Sequence, residues 1–174
     1  YSGQSTGGAS SKGKFLVIGA IVALLVGVGL FVSTLLSNNA KSDITMLAVR
    51  ENSLLTVASV AQENITNDAM RVANSNATIL LTSDVTTLVT ITDIKKLPDG
   101  LVKQYVDTNS ESLNEAKLLD KFDETYQKLM IQKVTELIAL AQDVESKTTN
   151  KTWLAEVTQA LANLQSIKKQ FEAL

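Results

Sequence analysis

FLVIGAIVALLVGVGLFVSTLL, residues 15–36, is a run of 22 residues without a charge. As an α-helix it is roughly 33 Å long at 1.5 Å per residue, which matches a bilayer hydrocarbon core of about 30 Å. Ser33 and Thr34 are its only polar residues, and both hydroxyls can bond back to helix carbonyls. Gly19, Ala23 and Gly27 recur at every fourth position and share one face, which Ala20 and Gly29 widen. Small residues at that spacing let a second helix backbone approach closely. The run therefore reads as a transmembrane-type helix that also serves assembly. The partners it predicts are further copies of this chain, packed through residues 15–36, and membrane lipid before or instead of that packing.

The flanks set an orientation. Residues 1–14 form a polar Gly/Ser tail whose only charges are Lys12 and Lys14. Positive charge beside an apolar helix favours a cytoplasmic N-terminus during insertion, with residues 37–174 outside and the protein at the membrane or cell surface. The rival is a signal peptide cut after Ala40. The run is longer than a usual h-region, and Asn38 stands where that cut wants a small residue. Beyond the run, 14 basic residues face 18 acidic ones. That mildly acidic module carries no basic stripe, which argues against a nucleic-acid partner. The chain has no Cys and no His, so it lacks a thiol nucleophile, a disulfide, an ordinary zinc site and a His-based acid–base pair. No cofactor and no metal are expected. A single Pro and a helix-forming composition point to an all-α fold.

SNNAKSD (37–43) reads as a polar joint in which Ser42 or Asp43 can cap a helix. Ile44, Leu47, Leu54, Val57, Ala58 and Ala61 follow at helical spacing, and ENITND (63–68) reads as a turn. From there Ile65, Ala69, Val72, Asn76, Ile79, Ser83, Thr87 and Ile91 step by three or four and predict a helix face. Residues 78–94 are rich in β-branched side chains, which favour strand. They alternate poorly, so helix is preferred and strand stays the alternative. Lys95 and Lys96 suit a helix C-terminus, and LPDG (97–100) signals a stop and turn. Residues 101–106 make a short helix and DTNSES (107–112) a loop in this scheme. Leu119, Phe122, Tyr126, Leu129, Lys133, Leu137, Leu140 and Val144 form a clear amphipathic stripe, broken at ESKTTN (145–150). Trp153, Val157, Ala160, Leu164, Ile167, Phe171 and Leu174 form the next. The short joint makes these two helices antiparallel neighbours. About four outer helices in an up-down bundle over residues 44–174 would bury all the stripes.

Chemistry-bearing patterns are sparse. Asp120, Asp123 and Glu124 share a helix face with Lys117, Lys121 and Gln127, as a solvated face with ion pairs does. The Asp107–Asn109–Glu111 spacing opens like a calcium loop, but Ser112 and Leu118 stand where Gly and Glu are needed. Asn64, Asn76 and Asn150 each begin an acceptor tripeptide for N-glycosylation. Trp153, Tyr105 and Tyr126 read as packing residues. An enzyme is not expected, because nothing converges.

KGKFLVIGA (12–20), with Gly13 before Phe15 opening the apolar run, resembles the start of type IV pilins. The resemblance covers residues 13–62 at most. It implies a structural subunit whose apolar helix packs in the core of a surface filament. Two features depart from the family. Ile18 or Gly19 occupies the place of the pilin Glu, and an all-α exterior differs from the usual pilin sheet. The function expected is a non-enzymatic subunit of a pilus-like filament. The alternative is a single-pass, membrane-anchored helical module that binds an extracellular protein.

Overall fold

The computed structural model describes residues 40–174. The polar tail 1–14, the apolar run 15–36 with Gly19, Ala20, Ala23, Gly27 and Gly29, and residues 37–39 of the joint lie outside the described residues. Every regular element among the described residues is an α-helix, and there are five: α1 (Ala40–Ala61), α2 (Asp68–Ile91), α3 (Asp99–Leu118), α4 (Phe122–Lys147) and α5 (Lys151–Glu172).

The helix α1 is buried on nearly every side. Met46, Ala48, Val49, Glu51 and Ser53 join Ile44, Leu47, Leu54, Val57, Ala58 and Ala61 in the interior. Its neighbours explain this. It packs against α2, α3 and α4, while α5 packs against α2 and α4. The helices α1, α2, α5 and α4 thus close a four-helix ring, and α3 lies across the outer side of α1 and α4. The end of α1 meets the start of α2, where Asn74 Nδ2 donates to the Ala58 carbonyl (3.0 Å). Asn163 of α5 reaches Asp84 of α2 (2.6 Å), and Trp153 Nε1 donates to the Ile91 carbonyl (3.0 Å). Ring neighbours therefore run antiparallel, as short joints require. The ends of α1, α3 and α5 gather at what we call the far end of the bundle, and their starts at the near end.

Local chemistry sets the element boundaries. The Asn67 side chain caps α2 by accepting from the Met70 N–H (3.0 Å), and Asn150 caps α5 by accepting from the Thr152 and Trp153 N–H groups. Asp93 (φ 51°) and Asp120 (φ 55°) take the left-handed conformation after α2 and α3. There Ile94 N–H bonds to the Val89 carbonyl and Lys121 N–H to the Ala116 carbonyl, which closes a Schellman-type end with Asp where Gly is usual. At the joint between α1 and α2, the Asp123 carboxylate accepts from the Thr66 hydroxyl (2.6 Å) and from the Thr66 and Asn67 N–H groups. That contact fastens the start of α4 to the turn 62–67.

Several expectations need correction. Residues 40–43 belong to α1, so the predicted polar joint is helical from Ala40. The helix preferred for the β-branched stretch 78–94 holds as far as Ile91, but it ends before Lys95 and Lys96 instead of at them. Thr78, Thr82, Thr86 and Thr90 each donate to the carbonyl four residues back, and packing overrides β propensity. The predicted face of α2 is rotated by about one residue. Val72 and Ile79 are 62% and 66% exposed, while Met70, Ala73, Asn74, Ala77, Leu81, Asp84 and Leu88 are buried. Small residues at 73 and 77 let the helix approach its neighbours closely, and the polar residues at 74 and 84 find interior positions. Residues 107–112 are not a loop. They lie inside the 20-residue α3, where buried Asn109, Leu113 and Ala116 hold a weakly helical sequence in place. Pro98 and Asp99–Gly100 start that helix. Leu119 is exposed and belongs to the end of α3, and in α4 Val134 and Ala141 take the interior positions assigned to Lys133 and Leu140, with Met130 buried as well. Residues 145–147 are still helix, so only 148–150 break α4 from α5. The bundle has five outer helices, one more than expected.

Candidate functional site

Two features have chemical content. The first is an acidic pair inside the ring. Glu51 of α1 is fully buried, and neither of its carboxylate oxygens has a hydrogen-bond partner. Asp84 of α2 is 4% exposed; its Oδ1 accepts from Asn163 Nδ2 at 2.6 Å, while Oδ2 is buried without a partner. Burial, with the nearby Asp84 charge second, pushes the Glu51 carboxyl well above its ordinary value. Burial also pushes Asp84 up to about 6, against the Asn163 hydrogen bond, which pulls it down. A carboxyl in such surroundings is more stable protonated, because the ionised form has lost its water and gained no donor. Neither group is open to a substrate.

A second polar cluster lies toward the far end and is satisfied. Asn74 Nδ2 donates to Gln62 Oε1 (2.5 Å) as well as to the Ala58 carbonyl, and the Tyr126 hydroxyl donates to Asn74 Oδ1. Burial raises the Tyr126 hydroxyl far above its usual range. Its ring lies between Phe122 (6.0 Å) and Phe171 (5.9 Å, edge-on). The packing role expected for Tyr126 holds. Tyr105 carries Arg50 over its ring at 5.1 Å, and Trp153 ties the start of α5 to the end of α2.

The second feature is a cleft of about 570 Å³ where α3 begins, between α1 and the end of α2. Val89, Leu97, Val102 and Val106 line its apolar part, and Lys95, Lys96 and Lys103 stand around it. Lys96 pairs with Asp99 at 2.5 Å. Pockets of this size accommodate small ligands or side chains of a partner.

The residues singled out from sequence do not converge. Asn64 donates to the Val60 carbonyl in the turn after α1, Asn76 donates to Gln170 on the surface between α2 and α5, and Asn150 caps α5. Asp123 leaves the expected solvated face to clamp the 65–67 turn. Burial raises its carboxyl, but the Thr66 hydroxyl, the Thr66 and Asn67 N–H groups and Arg71 together hold it below the ordinary value. Glu124 keeps the expected pairing, with Lys128 at 2.5 Å. Among the described residues no three Asp or Glu side chains gather as a metal site, and no helix is long and apolar enough to cross a membrane. The acidic pair was missed from sequence, although a signal existed. Glu51 stands between Leu47 and Leu54, and Asp84 between Leu81 and Leu88, each at steps of three and four along an interior stripe. Known protein families, curated proteins and solved structures contain no match to this chain.

Proposed function

We propose that this chain is a non-enzymatic structural subunit of a cell-surface assembly, a pilus-like filament, that self-associates through residues 15–36. The observation that carries the proposal is the uncharged 22-residue run with Gly19, Ala23 and Gly27 on one face. Two features of the remaining chain are consistent with a coat around such a core. The interior of residues 40–174 holds apolar residues from all five helices, and their titratable interior groups are closed to substrate. In this scheme the N-terminus is cytoplasmic during insertion and the bundle lies outside.

The test adds bulk to the small-residue face with Ala23→Leu and Gly27→Leu. Electron microscopy of cell-surface material should show fibres containing the parent chain and none from the double variant, while membrane insertion of the variant persists. Intact fibres with both leucines in place refute close packing. Monodisperse single copies of the parent chain in detergent, with no fibres on cells, refute the filament and leave the anchored module that binds an extracellular protein.

A further inference from the structure

Among the described residues Glu51 and Asp84 are the only buried carboxyl groups, and no Lys or Arg is buried with them. Neither acid takes part in an ion pair there. The surrounding helices supply no positive charge. On α1, Arg50 lies over the Tyr105 ring of α3, and successive helix positions do not face each other. The Tyr105 hydroxyl is itself buried without a partner. Asp84 is the only titratable group in the interior of α2. The interior of α4 is apolar apart from Tyr126, which bonds to Asn74, and that of α5 is wholly apolar.

The pair is sealed unevenly. Glu51 is closed off on all sides. Asp84 is linked outward, because half-buried Asn163 donates to its Oδ1 at 2.6 Å, and the exposed Gln159 Nε2 donates to Asn163 Oδ1 at 3.1 Å. These amides form a polar seam between α2 and α5 that runs from the surface to the acid. The seam is fastened on either side of Asp84, where Trp153 bonds to the Ile91 carbonyl and Asn76 bonds to Gln170. Both fastenings lie about 11–12 Å from Asp84 along α2 at 1.5 Å per residue.

We infer that the seam between α2 and α5 is a pH-sensitive gate: protonated Asp84 keeps it closed at Asn163, and ionised Asp84 draws water in along the amides. The charge finds no donor for Oδ2 in the interior, and water entering past Asn163 supplies one. Glu51 keeps its proton while Asp84 titrates, since burial and the Asp84 charge both oppose its ionisation. Burial raises the Asp84 carboxyl from 3.8 to about 6 in the closed seam. Once solvated, the group falls back toward its ordinary value, so opening releases a proton. Opening is therefore favoured as pH rises, by up to about tenfold per pH unit between those two values, and levels off above the higher one. The gate is independent of how residues 15–36 pack.

The absence of cysteine makes thiol labelling a clean test in the full chain in detergent. Ala160→Cys and Ile167→Cys place buried probes on α5 within a turn or so of Asn163, and Ala141→Cys places a buried control on α4. Dividing each rate by that of exposed Ser75→Cys at the same pH cancels the reactivity of the thiol itself. Between pH 5 and pH 7 the relative rates at 160 and 167 should rise about tenfold, with the rate at 141 changing less than twofold. Emission from the single tryptophan, Trp153, should not move. Asp84→Asn should abolish the rise, as should Asp84→Ser, a second uncharged replacement. Asn163→Leu removes the donor that stabilises the charge and should move the plateau to higher pH. The inference is overturned by flat rates at both α5 probes, by a rise that survives both replacements of Asp84, by a plateau that Asn163→Leu leaves in place, or by an equal rise at 141 with a shift in Trp153 emission.

Discussion

Replacing Asp84 by Asn probes the acidic pair directly. The side chain is 4% exposed, accepts one hydrogen bond from Asn163 and leaves Oδ2 without a partner. Its carboxyl moves from 3.8 to about 6 on folding, mainly through burial. The folded form therefore binds its proton more tightly than the unfolded one. Stability associated with this group is fully present below about 3.8 and is lost as pH rises toward about 6. Above that point the ionised carboxylate costs roughly 3 kcal/mol relative to an unshifted group. Asn keeps the acceptor for Asn163, removes the charge and relieves the repulsion on Glu51. If its new N–H donors find no acceptor, part of the gain is lost, leaving about 1–3 kcal/mol at pH 8. That corresponds to a rise in Tm of roughly 3–10 °C. At pH 3.5 the gain should be near zero. Urea unfolding followed by circular dichroism at the two pH values, with parent and variant compared at each, isolates this group from the other carboxylates. An equal effect at both pH values, or destabilisation by Asn at pH 8, would refute the account of the pair.

Two further outcomes test the packing. Leu81→Ala should cost about 2–5 kcal/mol and Ile79→Ala less than about 0.5 kcal/mol in the same unfolding assay, because Leu81 is fully buried and Ile79 is 66% exposed. Equal costs would mean that the face of α2 is misassigned. Asp123→Ala should destabilise by about 1–2 kcal/mol at pH 7 through loss of its bonds to Thr66 and Asn67. Since the folded carboxyl is held below its ordinary value, that stabilisation is present above about pH 4 and fades as pH falls further. A variant whose deficit stays constant into acid would contradict the clamp.

The elements differ in how plainly their residues announce them. The helix α5 was legible almost residue by residue. Val157, Ala160, Leu164, Ile167 and Phe171 are large or small apolar groups at steps of three and four with polar residues between them, and all five are buried. One neighbouring pair of helices covers one stripe, so periodicity alone identifies the face. The helix α2 was legible as a helix but not in its rotation. Val72 and Ile79 look more apolar than Asn74 and Asp84, yet the latter face the interior, since Asn74 meets Ala58 and Tyr126 there and Asp84 meets Asn163. The helix α3 was missed beyond its first turns because DTNSES carries almost no stripe. Its helicity comes from the surface of α1 and α4 on which it lies.

The chain's own order of residues pointed to an all-helical class, to a turn within a residue of 62–67 and to the antiparallel pairing of the last two helices, and it excluded thiol and imidazole chemistry. These depend on local periodicity, on propensity and on which side chains exist at all. Only the tertiary structure decided that α1 is buried on nearly every side and that two acids from different helices share the interior. Both depend on which segments meet in the folded chain, and neighbouring positions along one helix carry little record of such meetings.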